Sequence, residues 1–302
     1  MKLKSGLLFL LFLGCFVTSY ATHYRAGEIL YELIGPYKYR VTVITYTKTS
    51  GISIQADRPA IIITWGDGTT DTVLRSNGPL VGGIPYGDTV LPDVKKNEYT
   101  GVHQYPGAPP APNNFYVLQF FDENRLGGIA NLAANQQNGS EGVTFFVDDT
   151  LFYYDPNVIG PSSSPVLVNP AVQYANVCDT FYTNPEAVDS NGDSLIYELV
   201  PCLADANDVV PQYFFPDQFC NQTGRQECVG ANNSCTINRY TGDFVWAEPC
   251  EQGFYNVGIL IHIYHHGLCI GTMLRDMQII VRTDINDPPK LTIPDDTCVW
   301  AG

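Results

Sequence analysis

Basic residues are scarce in this 302-residue chain: Lys and Arg total 16 against 31 Asp and Glu, a formal net charge of −15. Nucleic-acid binding needs a basic stripe that follows the phosphates, and attraction to an anionic membrane needs charge of the same sign, so neither partner is expected. Long apolar runs are missing beyond the first residues; no later stretch reaches the ~18 apolar residues of a transmembrane helix. Apolar residues nowhere recur at the i, i+3, i+4 spacing over a convincing length, so no helix is expected. Short catalytic signatures are missing as well: there is no Gly-x-Ser-x-Gly elbow, no His-Glu-x-x-His pair and no phosphate-cradling glycine loop. Asp148 and Asp149 are neighbours, so on a strand they face opposite ways and form no acid–base couple. The expectation is a protein that is not an enzyme.

The N-terminus carries an export signal. Lys2 and Lys4 precede an apolar run from Gly6 to Val17, and Ser19-Tyr20-Ala21 provides small residues for cleavage after Ala21. The run is too short to span a bilayer. Gly14-Cys15 opens the alternative of lipoprotein processing, with Phe12 at the position where Leu is usual. Both routes lead out of the cytoplasm, and the chain is expected at the cell surface or beyond it. Cysteine usage agrees. None occurs between Cys15 and Cys178; then come Cys178, Cys202, Cys220, Cys228, Cys235, Cys250, Cys269 and Cys298. An even set in an exported chain reads as a disulfide framework, each bridge worth about 2–4 kcal/mol, with a pairing that the sequence alone leaves open. The first half must hold together by burial.

Period-two alternation dominates. "YKYRVTVITYT" places Tyr37, Tyr39, Val41 and Val43 on one face, "AIIITW" (60–65) ends in Gly66-Asp67-Gly68, and "NFYVLQFF" (114–121) and "VTFFV" (143–147) follow. Later, "FYNVGILIHIYHH" (254–266) and "DMQIIVRT" (276–283) alternate again. Strands divided by Gly, Pro, Asn and Asp turns predict an all-β chain of tandem antiparallel Ig-like sandwiches. Pro- and Ser-rich "DPNVIGPSSSPVLVNPA" (155–171) and "DINDPPK" (284–290) mark boundaries. The expected organisation is a signal at 1–21, one sandwich over 22–160, a second over 161–285, and at 286–302 a linker opening a further domain beyond Gly302, in which Cys298 would find its partner.

Three resemblances accompany this reading. "ITWGDGTTDTV" with the later "GVHQYPG", carrying His103 and Tyr105, resembles the polycystic-kidney-disease-type Ig-like repeat. "AVDSNGDSLIYELVP" followed by "TINRYTGDFVWAEPCEQGFYNVGILI" resembles the cadherin-like repeats of exported bacterial proteins, matching at Leu195, Tyr197, Thr241, Gly242, Trp246, Gly253 and Tyr255. With "THYRAGEILYELI", "ENRLGGIAN", "SSPVLVNPA" and "RDMQIIV", the whole is similar to the N-terminal ectodomain of gliding-motility-associated surface proteins of Bacteroidota. In that group such repeats precede a sorting domain for type IX secretion and surface attachment. The resemblance implies Ig-like modules with a structural or adhesive role.

Calcium is the best candidate cofactor. It takes about six to eight oxygen ligands, often from carboxylates and Asn on a Gly-containing turn. Glu186, Asp189, Asn191 and Asp193 cluster around Gly192, and Asp284, Asn286 and Asp287 form a second acidic group. The alternative is that these side chains form Asx-turns that end strands. His262, Tyr264 and His266 share a strand face and His265 points away; His262 and His266 stand roughly 13 Å apart on a strand, too far to share a metal. Trp246 and most of the abundant aromatics are expected in cores. The expected function is a non-catalytic surface protein, adhesive or structural, with a surface protein or a glycan as its partner. The alternative is a carbohydrate-binding accessory module with exposed aromatics that stack on sugar rings.

Overall fold

The computed structural model describes residues 23–283, apart from 111, 124, 133–138, 155–162 and 231. The first half contributes β1 (Tyr24–Gly35), β2 (Lys38–Lys48), β3 (Ala60–Thr64), β4 (Thr70–Leu74), β5 (Asp88–Leu91), β6 (Val94–Gln104), β7 (Phe115–Asp122) and β8 (Phe145–Phe152). The second half contributes β9 (Val172–Asn176), β10 (Phe181–Thr183), β11 (Ser194–Val200), β12 (Ser234–Ile237), β13 (Phe244–Ala247), β14 (Gly253–His265) and β15 (Leu268–Arg282). The all-β expectation holds, and alternation is its cause. On β2, Tyr39, Val41 and Val43 are buried while Lys38 and Arg40 face solvent. One short helix, α1 (Phe219–Thr223), was not expected. Its signals are local: Pro216 opens the preceding turn, the Gln218 side chain accepts from the Phe215 N–H at 3.0 Å, and Gly224 ends the helix with φ 71°.

Twelve strands form one sheet in the order β4-β3-β7-β8-β15-β1-β2-β6-β5, with β9 and β14 also on β15 and β11 on β14. Strand β15 is the seam. Along one edge it pairs with β14, from Gly253 opposite Val281 to His265 opposite Leu268. Along the other edge it meets β8 at Gly271–Met273, β1 at Asp276 and β9, in parallel, at Gln278–Arg282. Residues Met273–Val281 are all buried, as a strand covered on both faces requires. Part of the boundary expected over 155–171 lies outside the described residues, and the strands on its two sides meet in this single sheet. A separate three-stranded sheet, β10-β13-β12, lies in the second half.

Two large apolar clusters flank the seam. The first packs Trp65, Tyr99, Phe120 and Phe145 and draws Ile263 and Ile270 from the second half. The second packs Trp246, Tyr255 and Met277, with Leu30 of β1 against it. Smaller clusters mix both halves, as where Ile44 and Val94 meet Val172 and Ile280. Hydrophobic burial therefore runs across the seam.

A continuous polar network runs through it as well. Arg125 donates to the Asp276 carboxylate at 2.8 Å, with the two side chains 0% and 1% exposed. The Asn256 amide donates to the other Asp276 oxygen and to the Arg25 carbonyl, each at 2.7 Å. Gln278 donates to Asn256 at 2.9 Å and accepts from Arg25 at 2.8 Å, and Arg25 also reaches Asp93 at 3.2 Å. Nearby, Arg275 grips Glu28 through two nitrogens and donates to the Asn169 carbonyl at 2.8 Å. The segment from Arg125 to Asn131 straps the halves together. Leu126 N–H bonds to the Tyr24 carbonyl, Ala130 N–H bonds to the Phe254 carbonyl, and Asn131 exchanges hydrogen bonds with the Asn256 backbone at 2.8 and 2.9 Å.

Removing one member of a buried ion pair leaves its partner charged in a poor solvent, at a cost of about 3–5 kcal/mol. Arg125→Leu is therefore expected to lower the unfolding free energy by that amount in urea titration. Arg40→Leu, which breaks an exposed pair with Glu32, should change it by less than about 1 kcal/mol.

Candidate functional site

The Gly-Asp-Gly turn forms a closed structural knot. Gly66 has φ 83°, and a Cβ there would stand 2.5 Å from the Val117 nitrogen, so only glycine fits. Asp67 accepts from the Thr69 N–H at 3.0 Å and hydroxyl at 2.6 Å, and its other oxygen meets His103 at 2.8 Å. The His103 ring stacks on Trp65 at 4.6 Å, and the Tyr105 hydroxyl donates to the Trp65 carbonyl at 2.7 Å. Burial alone would raise the Asp67 carboxyl, but hydrogen bonds from Thr69 and His103 outweigh it and hold the group below its ordinary range. The residues that carried the first resemblance thus have partners within the fold and perform a structural task.

The acidic loop is more open. Asp189 accepts from the backbone N–H of Asn191 and of Asp193, each at 2.9 Å, around Gly192 at φ 78°. This is the Asx-turn reading realised. Asp193 also meets the His265 ring at 2.6 Å, and its side chain is 1% exposed. The second carboxylate oxygen of each of these aspartates is buried without a hydrogen-bond partner. Such orphaned anionic oxygens are costly and are the donor type a hard cation takes. The Asp189 and Asp193 oxygens are thus of the donor type that calcium takes. Glu186 is exposed, at φ 49°, with its N–H held by Asn184 at 2.8 Å; Asn191 is exposed and enters through its backbone. Asp284, Asn286 and Asp287 lie outside the described residues. Among the described residues, no group of three or more His, Cys, Asp or Glu is placed to hold a metal. A cleft of about 250 Å³ opens beside the loop, lined by Ser190, Ser163 and Ser164 and by the Glu32–Arg40 pair.

Two disulfides form, Cys178–Cys228 and Cys220–Cys250, with Cα separations of 5.4 and 6.4 Å. Among the described residues, Cys202, Cys235 and Cys269 have no disulfide partner. Cys202 is wholly enclosed beside Asp276 and Arg125, and burial pushes its thiol well up. Burial does the same to Cys235, which lies opposite Trp246 in the three-stranded sheet. Neither is a poised nucleophile, because the thiolate is the reactive form. Cys15 and Cys298 lie outside the described residues.

Several other ionisable groups are buried. Asp57 takes Lys95 at 2.7 Å and Arg75 at 2.5 Å, both cations 1% exposed. His23 stands 3.8 Å from the same carboxylate. Burial, aided by Lys95 and Arg75 against the pull of Asp57, lowers the His23 pKa from 6.5 to about 4. Asp149 is fully buried, accepts from the Leu274 N–H at 3.0 Å, and is pushed well above the usual carboxylate range by burial. Asp148 is raised to about 6 by burial. Alternation on β8 leaves Asp149 buried and Asp148 partly exposed. On the sheet face, His262 meets Glu198 at 3.4 Å, whereas His266 sits in the turn after β14 at φ 49°. The bulge between Ile263 and Tyr264 breaks the simple alternation expected there.

No known protein-family model matches this chain, and no curated protein or solved structure shows significant similarity to it.

The His23 shift makes a signed prediction. A lowered folded pKa means that the unfolded state binds the proton more readily, so stability is full above pH ~6.5 and falls as pH drops toward 4. The loss at pH 4 should be about 1–3 kcal/mol. His23→Gln should flatten this part of the pH–stability curve, measured by denaturant titration at several pH values.

Proposed function

We propose that the chain is a non-catalytic, exported scaffold of the cell surface, adhesive or load-bearing in role. The observation that carries this reading is the seam itself: β15 is hydrogen-bonded to strands from both halves and lies in a buried, mutually satisfied polar network. Such a body resists relative motion of its parts, which suits a spacer and does not suit a hinged active site. The Asp57–Arg75–Lys95 and Arg125–Asp276 groups are enclosed and paired with one another. Two disulfides fit an oxidising compartment, and among the described residues no helix is long and apolar enough to cross a membrane. The motif resemblance to gliding-associated, type IX-sorted surface proteins supports the same role.

Single-molecule force spectroscopy tests this reading. Pulled from its two ends, the chain should unfold its described body in one cooperative event. Two well-separated rips, one for each half, would overturn the rigid-scaffold reading.

Calcium belongs to the proposal as a stiffening element at Asp189 and Asp193. Calorimetric titration should show binding after chelator treatment, accompanied by a rise in melting temperature, and Asp193→Asn should abolish both. Absence of heat and of any melting shift up to millimolar calcium would remove the cation from the scheme.

A further inference from the structure

Arg239 stands alone. Among the described residues, Arg25, Arg40, Arg58, Arg75, Arg125, Arg225 and Arg275 each have a carboxylate partner, and Arg282 lies over the Tyr174 ring at 3.4 Å. The Arg239 guanidinium has neither kind of partner, and the residue is exposed. It lines a groove of about 420 Å³ on the outer face of β11 and β14, together with Ile196, Glu198, Ile237, His262 and Tyr264. The pairing of Ile196 with His262 and of Ser194 with Tyr264 sets these side chains in adjacent rows on one face.

The groove offers a specific combination: a free guanidinium, a carboxylate 61% exposed and 3.4 Å from an imidazole, a phenol ring and two aliphatic side chains. The guanidinium matches a carboxylate in two-point geometry. The phenol ring and aliphatic carbons offer a flat apolar surface, while Glu198 accepts and His262 exchanges hydrogen bonds with hydroxyls. A peptide strand is disfavoured, because the Tyr197 N–H on the edge of β11 is already bonded to the Arg239 carbonyl at 2.8 Å. Strand addition there would have to displace that bond.

We propose that this groove binds a carboxylate-bearing sugar of the uronate class, with Arg239 on the carboxylate, Tyr264 against the ring face, and Glu198 and His262 on ring hydroxyls. The site goes beyond the scaffold reading and gives such a scaffold a glycan to hold. The two are separable in the test: loss of sugar binding leaves the force experiment unaffected, and two-step unfolding leaves the groove intact.

Isothermal titration of the chain should use uronate trisaccharides of galacturonate, glucuronate and mannuronate, with galactotriose as the neutral control. Acetate and an acidic tripeptide serve as carboxylates without the ring. At least one uronate should bind with Kd below about 1 mM, and galactotriose, acetate and the peptide should bind about tenfold or more weakly. Arg239→Gln and Tyr264→Ala should each weaken uronate binding by about tenfold, with an unchanged melting temperature to show that the fold is intact. Arg239→Lys should restore only part of the loss. Failure of every uronate to bind below about 1 mM would overturn the proposal, as would equal binding by the Arg239→Gln protein. Equal binding of the neutral sugar, acetate or the peptide would overturn the uronate assignment.

Discussion

The ion pair between Arg125 and Asp276 is the constraint on which the rest of this fold depends. A buried pair of this kind is a poor source of net stability, since desolvation offsets most of the attraction. Its value lies in selection of one arrangement. Asp276 has its two oxygens taken by Arg125 and Asn256, and Asn256 is taken in turn by Gln278, Asn131 and the Arg25 carbonyl. A shift of β15 by one residue would strand each of these groups without a partner and would turn the strand's faces over. The network thus fixes the register of the strand that both halves share, and the apolar clusters on either side supply the driving force.

Several ionisable groups are enclosed by the same packing. Arg75, Lys95 and Asp57 balance one another inside the first half, while His23 is held neutral by burial. Burial pushes the Asp149 carboxyl well above the usual carboxylate range. Cys202 and Cys235 are kept from the thiolate form. Each is a group that an open cleft would make reactive, and each is enclosed. The groove around Arg239 lies on the outer face, and the acidic loop places two unpartnered carboxylate oxygens, of Asp189 and Asp193, just beneath the surface.

Much of the fold was legible in the sequence, for a physical reason. Side-chain alternation follows directly from pleating, so β2, β3, β7 and β14 could be read from Val, Ile, Tyr and Phe spacing within a residue or two. The Gly-Asp-Gly turn was legible because Gly66 needs a positive φ. Trp246 was correctly placed in a core, at 0% exposure. The Thr241-Gly242 turn also has a structural cause: a Cβ on Gly242, at φ 78°, would stand 2.8 Å from the Tyr197 ring. The early start of β15 at Leu268 was hidden, because its polar members Arg275, Asp276 and Gln278 look like surface residues until their distant partners are known. Helix α1 was too short to show a period. The candidate site was legible only in its local part. Asp189, Asn191 and Asp193 cluster in sequence, whereas His265, which orients Asp193, is brought in by the pairing of β11 with β14. Arg239 gave no local signal at all, since its significance is the lack of a partner in three dimensions.

The central claim is that β15 and its buried network make the two halves one cooperative body. Native-state hydrogen exchange on the β15 amides measures this most directly. The account predicts that the amides bonding β15 to β8, β9 and β14 exchange slowest in the molecule and only by global unfolding, with the same denaturant dependence in both halves. Exchange of the β8 and β9 contacts through a smaller opening, while each half stays protected, would contradict it.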